Sequence, residues 1–416
     1  MLPTVLVVLG VRYDPELSPL DEVAHLDYLD RAADWSYPRM GDRVSTEIAT
    51  LAKCRSLQTQ QGRPVCQQED VHVEPDDVVP DGYSYQAQHP PLYYWTSAAA
   101  ERITSLGPAD NLITSGRLTG AFWLSAGSLC LYFALRRLGV GLVVSCAACA
   151  LLIAAPGILA STSKITNDAT SLLAGAGLLL AYTFVRNDPR VLTVAALAVT
   201  SGVLTTLKAV NILAVGAICV VAAVELIPRL GWPRGLAAAA APGLVGVGAV
   251  LGWMLLTDAQ ATVDPDQVMA AVLDFKQKSE GPPVGQFIFS SSRLLTAFDD
   301  GAIVTGRPAA AVAAVGRFAV IGTAVAATLG DRRRLSITIA AAALAVTIAA
   351  GLAFNVQFWL DHELRGGPAS RYGLSVLPLL VTPLALLGDR STRSRVGVVL
   401  LALLVGTSTI IGVVMT

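Results

Sequence analysis

The chain has 416 residues, 53% of them hydrophobic and 15% charged, with a formal net charge of −1. A mean hydropathy of +0.57 and repeated long apolar runs mark a polytopic membrane protein. The near-zero net charge gives no electrostatic case for a nucleic-acid partner.

The first apolar run, Met1 to Val11, has neither the basic leader nor the small-residue cleavage site of a signal peptide. At about a dozen residues it is shorter than the roughly 20 that span a bilayer. It reads as a first membrane helix whose start lies at or upstream of Met1. Next comes Ser18-Pro19-Leu20-Asp21-Glu22-Val23-Ala24-His25. Ser18 suits an N-cap, Pro19 the first helical position, and Asp21 the third position of a capping box. Asp21 then either only caps a helix or, with Glu22 beside it and His25 one turn along, belongs to a site.

Residues 13–111 are too charged, and too interrupted by Pro and Gly, to cross a bilayer. They form the expected first extracytoplasmic loop, with interfacial helices. Cys54 and Cys66 flank a Gln/Arg-rich stretch there and read as a disulfide in an oxidising compartment, or else as two free thiols. Cys130, Cys146, Cys149 and Cys219 lie in apolar runs, where a thiol behaves as a small hydrophobe. The loop closes on His89-Pro90-Pro91-Leu92-Tyr93-Tyr94-Trp95, an aromatic segment suited to a helix in the membrane interface.

Apolar runs at about 112–135, 140–161, 169–185, 190–206, 209–227, 235–256, 306–329, 335–357, 372–388 and 394–415 predict ten more helices. With the first, that makes about 11 transmembrane helices in a single all-α transmembrane domain over residues 1–416. A second large extracytoplasmic loop spans 257–305, where Val268, Met269, Val272 and Phe275 recur at helical spacing. It reads as an interface-lying segment or lid, or as a plain connector.

Arginines sort the loops. Arg136/Arg137, Arg186/Arg190, Arg229/Arg234, Arg332 to Arg334 and Arg390/Arg393/Arg395 all fall on alternate short turns, which places those turns and the N-terminus in the cytoplasm. Every histidine and lysine falls on the opposite side. There stand the carboxylates Asp21, Glu22 and Asp168, the imidazoles His25, His89 and His362, and the cations Arg117, Lys164, Lys208, Arg365 and Arg371. Ionisable groups at membrane depth are costly and point to function, although a single basic side chain can instead be an anchor reaching for water.

A carboxylate facing several cations suits transfer from a phosphate leaving group: the first takes a proton from the attacking hydroxyl, and the others hold the departing charge. There is no phosphate-binding glycine loop, no His-Glu-x-x-His, no pair of Cys-x-x-Cys motifs and no Gly-x-Ser-x-Gly elbow. The histidines are too widely spaced to argue for a metal, so no cofactor is expected; a divalent metal is compatible with them but unsupported.

The acidic pair in Leu20-Asp21-Glu22-Val23-Ala24-His25, the His89-to-Tyr94 segment and Arg117-Leu118 at the second helix resemble the GT-C superfamily of membrane glycosyltransferases. Ile165-Thr166-Asn167-Asp168 and Gly366-Gly367-Pro368-Ala369-Ser370-Arg371-Tyr372 are most similar to the DUF2142 branch of predicted membrane proteins. The resemblance runs from about residue 17 to 380. It implies a glycosyltransferase that takes a sugar from a polyprenyl-phosphate carrier and places it, with inversion, on a cell-envelope glycan, lipid or protein acceptor. That work would lie on the extracytoplasmic side of a bacterial plasma membrane, among membrane lipids.

The resemblance also implies Asp21 as general base, with Glu22 as the neighbour that orients it. His25, His89, Tyr93, Tyr94, Arg117, Lys164, Asn167, Asp168 and Tyr372 would line the substrate site, and Lys208, Arg365 and Arg371 would contact the carrier phosphate. The alternative is a transporter or flippase for a lipid-linked glycan, which also needs a polar outer vestibule. A noncatalytic membrane scaffold is a third reading.

Overall fold

The computed structural model describes residues 1–14, 16–18, 21–55, 73–107, 111–273, 287, 290–299, 307–330, 334–360 and 368–415. The side chain of Cys54, together with Cys66, His362 and Arg365, lies outside the described residues, and the expected disulfide with them. Regular structure among the described residues is helical, apart from one isolated antiparallel bridge between Arg43 and Tyr83.

The chain opens with α1 (Leu2–Tyr13) and passes into α2 (Glu22–Ala33), α3 (Thr46–Arg55) and α4 (Leu92–Thr104). It then enters α5 (Leu112–Leu118), α6 (Gly120–Arg137), α7 (Leu142–Ile153), α8 (Pro156–Thr162) and α9 (Ser171–Asn187). After these come α10 (Val191–Leu207), α11 (Ile212–Leu230), α12 (Trp232–Gln260) and α13 (Pro265–Leu273). The last four are α14 (Arg307–Gly330), α15 (Arg334–Leu360), α16 (Leu377–Gly388) and α17 (Thr392–Met415).

Eight stretches among the described residues are long and apolar enough to cross a bilayer: Leu112–Arg137, Asn167–Asn187, Ala209–Leu230, Trp232–Gln260, Ala309–Leu329, Arg334–Gln357, Ser370–Gly388 and Thr392–Met415. Together α7 and α8 make a ninth, bent by 63°. Proline chemistry explains the bend. Ala155, at φ −64° and ψ 126°, has the extended backbone that a following proline imposes, and Pro156 then opens the next helix, where its missing N–H costs nothing. The shorter apolar helices α1 and α10 stand where the first and fifth of the expected spans lie.

Leu244, Leu251, Met254 and Leu255 of α12 are exposed, a liability in water but the expected lipid-facing surface in a bilayer. Inside, helices meet through small residues, because apolar tails compete equally well for large ones. Gly127 lies against Leu172 and Leu173, and Gly175 against the carbonyl of Ser375, where a Cβ would collide.

One sequence-based expectation is corrected. The helix that follows α1 begins at Glu22 with Asp21 as its N-cap, not at Pro19 with Ser18 as cap. The Ser18 N–H donates to a Glu22 carboxylate oxygen at 2.8 Å, which leaves Ser18 bound to the helix start through its backbone, and the Asp21 side chain makes no capping bond. Within the 257–305 stretch, the turn Ser292–Phe298 packs inward between spans. Its neighbourhood is set by glycines: a Cβ on Gly351 would strike the Ser291 backbone, one on Gly373 the Leu294 carbonyl, and one on Gly316 the Phe298 ring at 2.8 Å. Gly316 and Gly351 each sit nine residues inside their helices, roughly 13 Å from the ends at 1.5 Å per residue. Non-helical backbone survives at such depth only when buried in protein.

Candidate active site

Three spans begin at one place. Each opens with a tight 3-10 turn (Asn167–Thr170, Ala209–Asn211 and Ser370–Val376), and each brings one charge there: Asp168, Lys208 just ahead of its turn, and Arg371. The α2 N-terminus meets them with Asp21.

The four charges form a ladder of alternating sign. Arg371 Nη2 pairs with Asp21 Oδ2, and its Nε stands 3.6 Å from Asp168 Oδ2, an ion pair without a hydrogen bond. Asp168 Oδ1 in turn takes Lys208 Nζ. The outer rung is accessible, with Asp21 and Arg371 side chains 21% and 30% exposed, whereas Asp168 and Lys208 are 6% and 4% exposed. Tyr85 Oη donates to Asp21 Oδ1 at 3.2 Å, and the Thr166 hydroxyl donates to Asp168 Oδ2 at 3.1 Å. Lys208 Nζ also lies 5.5 Å from the centroid of the Tyr372 ring, within cation–π range.

Beside the ladder is an aromatic stack. His25 Nδ1 and Tyr94 Oη are 2.7 Å apart, His25 and His89 lie parallel with centroids 6.3 Å apart, and Tyr28 stacks on Tyr94 at 3.6 Å. Burial, reinforced by Arg371 and Lys208, pushes the His25 imidazole well below its ordinary value. Burial and then His25 push His89 down to about 3. Both are neutral at pH 7, each with one N–H donor and one acceptor. Burial and the Asp21 carboxylate raise Tyr85, so it remains a phenol that donates.

Glu22 faces another way, because consecutive residues on a helix point about 100° apart. Its carboxylate accepts from Arg117 Nε at 2.7 Å and Nη2 at 2.8 Å, from the Ile165 N–H at 3.0 Å and from the Ser18 N–H. Arg117 completes its bonds on the carbonyls of Asp14 at 2.5 Å and Glu16 at 2.7 Å. Both side chains are at most 2% exposed. Lys164 pairs with Asp14 at 3.1 Å, at the end of α1. Tyr93 is buried edge-on to Tyr94 and against Trp123 on α6.

Of the residues expected from sequence, then, Asp21, Asp168, Lys208, Arg371 and Tyr372 come together, with His25, His89 and Tyr94 adjoining. Asn167 is buried beside Asp168 with its Nδ2 lacking a hydrogen-bond partner. Glu22, Arg117 and Lys164 are held in pairs of their own. Sequence reasoning missed Tyr85, Gln86 (whose buried Oε1 has no partner) and Tyr28, which donates to the His89 carbonyl at 3.1 Å. Tyr28 had a signal, three residues after His25 on the same helix face; Tyr85 and Gln86, in the short 3-10 turn Tyr85–Gln88, had none. Among the described residues no three His, Cys, Asp or Glu side chains gather as a metal site. The two carboxylates of the ladder are already engaged by cations.

Among solved structures, the chain is similar to ArnT from Cupriavidus metallidurans bound to undecaprenyl phosphate, with a TM-score of 0.54 at 15% identity over 94% of this chain and 60% of that one. The fold is GT-C-like, all-α and multi-pass in the membrane. A second likeness is to the archaeal oligosaccharyltransferase AglB from Archaeoglobus fulgidus, in complex with an inhibitory peptide and a dolichol-phosphate, at a TM-score of 0.47 and 12% identity over 99% of this chain and 55% of that one. The chain spans less than two thirds of the length of either structure. No family profile matches the sequence, and no curated protein matches it.

Proposed function

We propose that the chain is a GT-C-type glycosyltransferase that moves a sugar from a polyprenyl-phosphate carrier to a cell-envelope glycan, lipid or protein acceptor, with inversion. The observation that carries this is the ladder Asp21–Arg371–Asp168–Lys208, which sets a solvent-reachable carboxylate beside two cations where three spans begin. The fold shared with a protein bound to undecaprenyl phosphate supports the carrier class. The N-terminal ends of three spans add partial positive charge that favours an anion. Within the superfamily, the motifs at Ile165 to Asp168 and Gly366 to Tyr372 argue for the DUF2142 branch.

In this reaction Asp21 takes the proton of the acceptor hydroxyl while that oxygen attacks the anomeric carbon. The bond from carbon to phosphate oxygen breaks, and its electron pair leaves with the carrier phosphate, held by Arg371 and Lys208. Attack opposite the leaving group inverts the centre. Asn167 Nδ2 and Gln86 Oε1, buried without partners, offer one donor and one acceptor for sugar hydroxyls. Glu22 and Arg117 act by holding α2 in place. The arginine pattern argues for a cytoplasmic N-terminus and an extracytoplasmic site in a bacterial plasma membrane, with residues 13–111 and 257–305 as outer loops of one transmembrane domain.

The test is glycosyl transfer by purified protein given a polyprenyl-phosphate sugar pool and envelope acceptors. Asp21→Asn, folded as judged by an unchanged melting temperature, is expected to lose about a hundredfold or more in turnover, the usual contribution of a positioned base. Wild-type turnover in that variant removes Asp21 as base.

A further inference from the structure

The Asp21–Arg371 ion pair presents a conflict within the proposed site. Asp21 must meet an acceptor hydroxyl and Arg371 must meet a phosphate, yet in the structure they hold each other. The inner rung does not share the problem to the same degree: Asp168 and Lys208 are buried together, and the Thr166 hydroxyl also supports Asp168.

Arg371 is placed to change partners. Its guanidinium spans the two carboxylates, with Nη2 on Asp21 and Nε 3.6 Å from Asp168, so a rotation of the fork releases Asp21 while Asp168 still retains the side chain. The backbone beneath it is closely packed. Gly373 lies against the Leu294 carbonyl and Gly175 against the Ser375 carbonyl, which clamp the Ser370–Val376 turn from two sides. Motion at this site is therefore motion of the side chain, the more exposed partner of the pair at 30%.

We infer that the carrier phosphate itself displaces Asp21 from Arg371, so that binding of the lipid-phosphate donor frees the carboxylate for the acceptor. This rests on the donor reading of the same site. Two oxygens of a phosphate offer the guanidinium the bidentate, charge-assisted geometry that a carboxylate can, so the exchange keeps Arg371 satisfied. Asp21 is left with the Tyr85 hydroxyl on Oδ1, and Oδ2 is opened toward the acceptor. Catalysis is then ordered, donor first, and an acceptor arriving early meets a closed carboxylate.

The consequence has an unusual sign. Asp21 competes with the phosphate for Arg371, so removing its charge strengthens donor binding while removing turnover. The probe is undecaprenyl phosphate, titrated into the full chain in lipid nanodiscs. Asp21→Asn is expected to bind it about tenfold more tightly than wild type, about 1.4 kcal/mol. Arg371→Gln is expected to bind it at least tenfold more weakly, and the double variant to match Arg371→Gln, because the competition acts through that guanidinium.

Unchanged or weaker binding by Asp21→Asn, with Arg371→Gln still weak, overturns the exchange and leaves the phosphate site standing. If neither Arg371→Gln nor Lys208→Met alters binding, lipid phosphate is not the ligand of this site and both readings fail. Inorganic phosphate run in parallel is expected to bind at least a hundredfold more weakly; equal affinity overturns the lipid as its source. Should Asp21→Asn fail to fold, carbodiimide labelling of wild-type protein serves instead. Labelling mapped to Asp21 is expected to rise with undecaprenyl phosphate, and a fall overturns the exchange.

Discussion

Glu22→Gln separates the two neighbouring acids. In the folded protein the Glu22 carboxylate accepts four hydrogen bonds, two of them from Arg117 at 2.7 and 2.8 Å, with both side chains at most 2% exposed. The amide keeps the shape but withdraws the charge and puts an N–H₂ where one of the two acceptor oxygens stood, so Arg117 becomes a buried cation without its carboxylate, left with the amide oxygen and the Asp14 and Glu16 carbonyls. Breaking a buried pair from one side costs about 3–5 kcal/mol, because the surviving charge is uncompensated. We expect a loss of that order, read as a fall in melting temperature in detergent by intrinsic fluorescence, while protein that remains folded keeps a substantial part of its turnover. Glu22→Leu combined with Arg117→Leu removes both charges and is expected to cost less than the sum of the single variants by about 1–3 kcal/mol. A Glu22→Gln protein that melts like wild type yet transfers no sugar would refute this, and would return Glu22 to the reacting centre.

Lys208→Met leaves the Asp168 carboxylate buried, but Arg371 is only 3.6 Å away and can close on it. The stability cost is therefore expected at about 1–3 kcal/mol, below that of Glu22→Gln, with undecaprenyl phosphate binding weakened at least tenfold; a stability loss equal to that of Glu22→Gln would count against the compensation. Acid should weaken the fold through the two imidazoles. Unfolded histidine takes a proton near pH 6.5, whereas His89 is pushed down to about 3 and His25 is also lowered. Below the unfolded value the unfolded chain binds protons that the fold refuses, so stability is full above about pH 6.5 and falls as pH drops, by up to about 1.4 kcal/mol per unit for each imidazole. Melting temperature from pH 7 to pH 5 should decline, and less steeply in His89→Gln; identical slopes would show that His89 does not titrate in this way.

The transmembrane plan was legible because hydrocarbon thickness fixes a length and a composition that local sequence must supply. The apolar runs at 209–227 and 394–415 became α11 (Ile212–Leu230) and α17 (Thr392–Met415), each displaced by no more than three residues at either end. The run at about 140–161, read as one helix, is bent by 63° at Pro156, although that cause too is local. Pairing was not legible. Glu22 and Arg117 are 95 residues apart, Asp21 and Arg371 350, and nothing in either neighbourhood says which acid takes which arginine. The inward seat of Ser292–Phe298 was hidden for the same reason: its own sequence reads as a connector, and the space it fills is made by Gly316, Gly351 and Gly373 on other segments. Asp168 and Lys208 were found as ionisable residues at span ends, whereas Tyr85 gained its place only through Asp21.

The division of labour between Asp21 and Glu22 explains how a mobile charge can be kept at the edge of a membrane. Burying a charge is costly unless it is paired and fully hydrogen-bonded, and Glu22 meets that condition while tying α2 to the approach at Asp14 to Ser18, to α5 and to the turn at Ile165. With α2 anchored one residue away, the Asp21 side chain makes no capping bond and pairs with Arg371 instead. The ladder it joins carries two negative and two positive charges, which sum to zero, so the set is tolerable in a low-dielectric site only while it stays paired. Opening the outer rung strands a guanidinium unless another anion arrives. A neutral lipid supplies none, whereas a lipid phosphate does. The ion pair therefore closes the site and selects the ligand that opens it, and the same selection would be lost if Asp21 and Glu22 exchanged places.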